Sequence, residues 1–152
     1  MQSRVKTCLR KNCITLSLLI GFLSCSAFFQ SALGESLVVQ GSATVVDGDT
    51  IIVKDIRIRL SGLSAPELGE KDGEEAKITL QALLLNKQVR CSLSGRKSYE
   101  RYIGTCWIGA RDIAALLIME GKARDCPRYS QRRYLALETL KSKRLTLPKY
   151  CL

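Results

Sequence analysis

The sequence predicts a mainly β protein with helices added: a small closed barrel of five strands carrying three α-helices. Three observations lead there. Short β-branched or alternating runs recur at Ala43–Val46, Ile51–Val53, Ile56–Leu63, Val89–Leu93 and Tyr102–Ile108, each bounded by turn residues. Helical stretches follow the third strand and close the chain. No internal repeat or low-complexity linker divides the region after residue 34, whose roughly 118 residues suffice for one core.

Taken in order, Ala43–Val46 and Ile51–Val53 flank Asp47-Gly48-Asp49-Thr50, whose Asp-Gly pair predicts a hairpin turn with positive φ. In Ile56–Leu63, Ile56, Ile58 and Leu60 alternate with Arg57, Arg59 and Ser61, so the two sets fall on opposite faces of a strand. Ala65-Pro66-Glu67 is a rigid exit from the sheet, and Leu68–Gly73 is a polar loop. A helix is predicted over Glu74–Asn86, with Glu74 and Glu75 in the first turn and Ala76, Leu80, Leu83 and Leu84 on one face. Val89–Leu93 and Tyr102–Ile108 read as strands joined by a polar turn over Ser94–Arg101. Asp112 caps a helix through Glu120, ended by Gly121; Ser130 caps a last helix to Arg144, before a tail containing Pro148. Five strands in this order suit a barrel of the oligonucleotide-binding type.

The start of the chain reads as a leader. Met1–Cys13 carries Arg4, Lys6, Arg10 and Lys11 with no acid, and Ile14–Phe29 is almost wholly apolar or small. That run of about 16 residues is short for a membrane span, so a signal peptide cleaved after Ala32-Leu33-Gly34 is expected, giving a domain over residues 35–152 and a secreted or periplasmic protein. A lipid anchor at Cys25 is the lesser alternative, because the leucine of Phe22-Leu23-Ser24-Cys25 is one place out of register. Losing four basic residues and no acid lowers the formal charge from +10 to +6. A basic balance favours polyanions such as nucleic acid, although charge alone does not decide it. Neither a stable protein partner nor a membrane contact after cleavage is implied, and a monomer is the expectation.

Of the seven cysteines, Cys91, Cys106, Cys126 and Cys151 follow the leader; an even number in an exported chain predicts two disulfides. Three pairings are open. Cys91–Cys106 with Cys126–Cys151 is favoured, since the first two lie on apolar runs joined by a turn and the others flank the last helix. A zinc site is disfavoured by the absence of histidine and of any Cys-x-x-Cys pair.

Having no histidine at all, the chain cannot perform Ser-His-Asp, Cys-His or paired-histidine catalysis. Cleaving a phosphodiester with water needs a base for the water and cations for the phosphoryl oxygens. Glu67 can be the base, and Arg59 with Arg101 can grip the phosphate through paired planar hydrogen bonds. A hard divalent cation on carboxylate oxygens would add Lewis-acid stabilisation.

Val46-Asp47-Gly48-Asp49-Thr50, Arg59-Leu60, Ala65-Pro66-Glu67 and Tyr99-Glu100-Arg101, in this order and spacing, resemble the motifs of the staphylococcal nuclease family. The resemblance covers about residues 42–144 and implies a five-stranded barrel with three helices and calcium-dependent hydrolysis of DNA and RNA. It further implies that Arg59 and Arg101 neutralise the phosphate, Glu67 is the general base, Asp49 is a calcium ligand and Tyr99 sits beside a terminal phosphate. Ser64 stands where the family usually has Asp, which weakens the calcium site and leaves the Ala65 backbone carbonyl as a further donor. Glu100 replaces a common glycine and either orients Arg101 or competes for it, and Lys97 replaces a common acid.

Singly, Asp49 is good turn chemistry, Arg59 an outward strand charge, Glu67 a surface acid and Arg101 a solvated turn residue. Their co-occurrence favours a metal-dependent nuclease of little sequence preference, because phosphate-directed arginines read backbone rather than base edges. The alternative is an inactive or weakly active binding module that has lost its metal through Ser64.

Overall fold

The computed structural model describes residues 37–152. The predicted leader, residues 1–34, and Cys25 lie outside them. Within them the first strand begins earlier than the apolar pattern suggests. β1 (Leu37–Gly41) and β2 (Ala43–Val45) are two halves of one chain segment interrupted at Ser42. β1 pairs antiparallel with β6 (Val89–Ser98), and β2 with β3 (Thr50–Val53). β3 pairs with β4 (Ile56–Leu60), β4 runs parallel to β7 (Arg101–Ile108), and β7 returns antiparallel to β6. The sheet order β1-β6-β7-β4-β3-β2 therefore begins and ends in consecutive residues, and the sheet curls into a barrel of five chain segments. This is the mainly β, oligonucleotide-binding-type architecture read from the sequence.

Alternation fills the barrel. Ile51, Val53, Ile58, Leu60, Val89 and Leu93 point inward and are buried, whereas Arg57 is exposed. α1 (Gly73–Leu84) lays Ala76, Leu80 and Leu84 on this core, and its acids Glu74 and Glu75 occupy the first turn. α2 (Ile113–Met119) buries Ile113, Ala114, Leu117 and Ile118; Asp112 caps it, accepting from the Ala114 and Ala115 amides at 2.9 and 3.4 Å. Cys91 faces Cys106 across the β6–β7 ladder and is bonded to it; Cys126 is bonded to Cys151.

Several expectations are corrected. Gly48 does not have positive φ; the left-handed pair is Lys54-Asp55, φ 47° and 63°, which makes the tight turn between β3 and β4. Gly48 is needed for space instead, since a Cβ there would lie 2.8 Å from the Ala65 Cβ and 2.9 Å from the Ala76 Cβ. The strand foreseen to Leu63 stops at Leu60, because Gly62 turns the chain at φ 81°; Leu63–Ser64 then forms β5. The Ser94–Arg101 turn shrinks to Tyr99-Glu100, with Tyr99 at φ 53°. Its flanks are strand, but Ser94–Lys97 is exposed and carries no alternation to read.

The single helix predicted over residues 130–144 breaks up. α3 (Pro127–Ser130) ends in two left-handed residues, Gln131 and Arg132, and Ser130 is its last residue rather than a cap. A 3₁₀ turn, Leu135–Leu137, and α4 (Leu140–Arg144) follow, capped by the reciprocal Thr139–Ser142 pair. The break lets Tyr134 turn inward, where its hydroxyl donates to Asp112 Oδ2 at 2.8 Å and its amide to Asp125 Oδ1 at 3.3 Å. Four α-helices, two of them about one turn long, thus replace the predicted three.

Candidate active site

The barrel rim places the charged residues by register. Thr50 lies directly opposite Arg59 on the β3–β4 ladder, and the Leu60 amide donates to the Asp49 carbonyl at 2.8 Å, so Asp49 is held against the outer side of β4. The parallel β4–β7 pair brings Arg101 to the same edge, one residue before Tyr102 meets Ile58. Arg59 Nη1 stands 2.6 Å from Asp49 Oδ2; Arg101 Nη1 stands 3.7 Å from Asp49 Oδ1 and donates to Thr50 Oγ1 at 3.0 Å. The Thr50 hydroxyl donates in turn to Asp49 Oδ1 at 2.8 Å. Arg101 is thus directed to Thr50 and Asp49. Two guanidiniums are oriented by one buried carboxylate and one hydroxyl.

Asp49 is almost fully buried, and burial pushes its carboxyl up to about 6, against the opposing pull of Arg59 and the Thr50 hydrogen bond. Asp47 and Glu67 add like charge. Asp49 Oδ2 is close to Arg59 but has no N–H aimed along the contact, so it is a buried oxygen without an aligned donor.

Glu67 is exposed beyond Pro66, its amide donating to the Glu70 carboxylate at 3.0 Å. It lines a cleft of about 610 Å³ together with Arg59, Arg101, Tyr99, Tyr129 and Tyr150. Tyr99 stands at the cleft's mouth, 90% exposed. Ser64 and Ala65 are buried behind the Asp47–Asp49 turn, whose Gly48 packs on Ala65. The structure therefore gathers Arg59, Arg101 and Glu67 around one opening, with the buried Asp49 against the two arginines; Ser64 is buried and lines neither cleft, and Ala65 borders the neighbouring cleft. Residue-by-residue reading overlooked Thr50, although it stands within the Asp-Gly-Asp-Thr motif, and Tyr150, whose only signal is its place beside Cys151.

A small barrel rim that turns two guanidiniums and an exposed carboxylate into one groove presents the donor groups to which phosphate oxygens bind. The profile of the family described as staphylococcal nuclease homologue matches residues 57–144, and the chain belongs to that family. It is 36% identical over 97 residues to a succinoglycan biosynthesis protein of Rhizobium meliloti, covering 56% of this chain and 51% of that one. It is 30% identical over 91 residues to an uncharacterized endonuclease of Haemophilus influenzae, covering 57% and 51%. A probable staphylococcal-like nuclease of Oryza sativa subsp. japonica is 28% identical over 85 residues, 56% of this chain and 17% of that protein. The chain spans about half the length of the first two relatives.

The family's usual calcium can be tested against these residues. Among the described residues no group of three or more acidic, histidine or cysteine side chains could hold a metal. The donors present are all hard oxygens: the Asp49 carboxylate with its unaligned Oδ2, the Ser64 hydroxyl and the Ala65 carbonyl. In donor type they fit calcium; in charge they supply a single carboxylate, which favours weak binding.

Proposed function

We propose that this chain is an exported nuclease that hydrolyses phosphodiester bonds of DNA or RNA with little sequence specificity and needs calcium. The observation that carries the reading is the pair Arg59 and Arg101, oriented through Asp49 and Thr50 and sharing a cleft with Glu67. The guanidiniums bind two non-bridging phosphate oxygens and neutralise the charge that builds on them as water attacks phosphorus. Glu67 takes the proton from that water, and the bond from phosphorus to the leaving sugar oxygen breaks. Because the arginines grip backbone, base identity is not read. Asp49, Ser64 and the Ala65 carbonyl would hold calcium, whose chemistry there is Lewis-acid stabilisation of the phosphate. Export is supported by the basic-then-apolar residues 1–34 and by two disulfides, which belong to oxidising compartments.

A second reading, binding without cleavage, is favoured by Ser64, which leaves Asp49 as the single carboxylate donor and both arginines turned to it. One experiment separates the two: cleavage of single-stranded DNA by the oxidised protein across a calcium titration with a chelator control. The nuclease cleaves only with calcium, and Glu67→Gln lowers the rate at least about a hundredfold while binding changes little. Equal turnover by the variant would remove Glu67 as the base. Salt-sensitive binding with no cleavage at any calcium level would establish the binding module.

A further inference from the structure

The last eight residues form no part of the barrel, yet they reach its cleft. Pro148 starts a 3₁₀ turn, Lys149–Cys151, in which the Cys151 amide donates to the Pro148 carbonyl at 2.9 Å. Cys151 is fully buried and bonded to Cys126, at the start of α3. A covalent tether therefore fixes the residue next to it. That residue is Tyr150, 45% exposed.

Tyr150 lies on the boundary of two clefts. One is the 610 Å³ cleft with Arg59, Arg101 and Glu67; the other, of about 890 Å³, is lined by Glu67, Lys122, Lys141 and Arg144. Glu67 and Tyr150 alone line both. A strand occupying both clefts passes Glu67 and Tyr150 together. Lys122 in the second cleft is engaged by Glu75 at 2.6 Å, which leaves Lys71 of the loop and Lys141 and Arg144 of α4 as cations for a phosphate beyond the scissile one. Glu70, Asp72 and Glu75 line the loop and α1 side of that cleft together with Lys71, whereas α4 contributes cations alone, so the phosphates of such a strand would follow α4.

We infer that Tyr150, presented by the Cys126–Cys151 disulfide at the junction of the two clefts, is a substrate-positioning residue that stacks an unpaired base of single-stranded nucleic acid beside Glu67. The inference rests on the nucleic-acid substrate proposed above. An exposed ring takes any base, because every base has a π-face, so the contact adds affinity without sequence preference. It excludes a duplex, in which the base is already stacked and paired. Tyr129, also half-exposed, lines the first cleft beside Cys126, so the same disulfide gathers two aromatic rings at one end of the site.

The test is fluorescence anisotropy of a labelled oligo-dT strand and of a labelled duplex, with both disulfides formed, on a Glu67→Gln background that prevents turnover. Tyr150→Ala is expected to raise the single-strand Kd about tenfold and the duplex Kd less than about twofold, and Tyr150→Trp to restore the single-strand value. Replacing Cys126 and Cys151 together by serine is expected to weaken single-strand binding by at least the same factor, with Tyr150→Ala adding nothing further, since the ring is already released. In turnover with Glu67 intact, Tyr150→Ala raises KM and leaves kcat near the original. An unchanged single-strand Kd overturns the inference. So does equal weakening toward strand and duplex, or failure of Trp to rescue, because a ring that merely packs the tail predicts those results. Should the protein not cleave at all, the single-strand effect still stands or falls by anisotropy, and only the nuclease reading is lost.

Discussion

The barrel and the C-terminal segment, residues 121–152, are held together by different means. In the barrel, backbone ladders set the register and alternate side chains fill an apolar interior. In the C-terminal segment every element is five residues or shorter, and beyond the two-residue pairing of Arg124–Asp125 with β5 buried polar side chains replace the ladders. Glu138 accepts from the Asp125 amide at 3.0 Å and from Arg124 Nε at 3.2 Å; the Ser142 hydroxyl donates to the Ile118 carbonyl at 2.6 Å. The cleft takes its arginines from the first region and two of its aromatic rings from the second. A stable ladder suits charges that must keep one geometry, and a tethered segment suits rings that must meet a substrate.

The sharpest way to break the contrast is to remove Glu138. Its side chain is nearly fully buried, and its loss strands the partly buried Arg124 and the Asp125 amide. Glu138→Ala is expected to cost about 4 kcal/mol in urea unfolding, as for other buried pairs that lose one partner. By contrast, Glu75→Ala, which removes the exposed partner of Lys122, is expected to leave the unfolding midpoint unchanged. A small effect of Glu138→Ala would mean that water replaces the carboxylate and that the C-terminal segment does not depend on its buried polar contacts.

The disulfides sharpen it next. They close loops of 15 and 25 residues, so restriction of the unfolded chain predicts a similar contribution from each, about 3 kcal/mol. Their native-state effects should differ. Cys91 and Cys106 already face each other in a paired ladder, whereas the Cys151 segment makes no strand pairing. Serine replacement of Cys126 and Cys151 is expected to open residues 145–152 to hydrogen exchange while the barrel amides stay protected; replacement of Cys91 and Cys106 lowers protection globally. Equal patterns for both would erase the distinction.

The same division explains what could be read in advance. Strands at 51–53, 56–60 and 102–108 were legible because one face of each is buried and the other is not, which writes a period of two into the sequence. So were the Asp112 cap and both disulfides. Residues 130–144 misled because Ser130, the basic residues and the leucines satisfy helical spacing locally, whereas the break is imposed by partners remote in sequence, Asp112 and Asp125. Motif order singled out Arg59, Glu67 and Arg101, which line one cleft. It did not reveal that Asp49 would be buried between the two arginines with Thr50 as the bridge, since that follows from the β3–β4 register. Nor could any local pattern bring Tyr150 to the cleft, a placement that depends on a disulfide across 25 residues.

The smallest expected effect concerns the barrel's own departure from its rule, the buried carboxylate of Asp49. Its folded value of about 6 lies above the ordinary 3.8, so between those pH values the folded state holds a proton that the unfolded chain has released. Stability therefore falls as pH rises from about 4 to 6 and stays lower above, with ionised Asp49 opposing the fold, the Arg59 attraction included. Asp49→Asn removes that charge. It is expected to raise the melting temperature at pH 7.5, to match the original protein near pH 4, and to abolish cleavage because Arg59 and Arg101 lose their common anchor. Calcium should raise the melting temperature of the original protein at pH 7.5 and not that of Asp49→Asn, since a cation relieves only an ionised carboxylate. If Asp49→Asn is instead destabilised at every pH, the attraction to Arg59 exceeds the cost of burial, and Asp49 strengthens the rim in the way Glu138 strengthens the C-terminal segment. The sign of one melting-temperature difference thus decides whether the barrel tolerates its buried charge for the sake of the site or depends on it for folding.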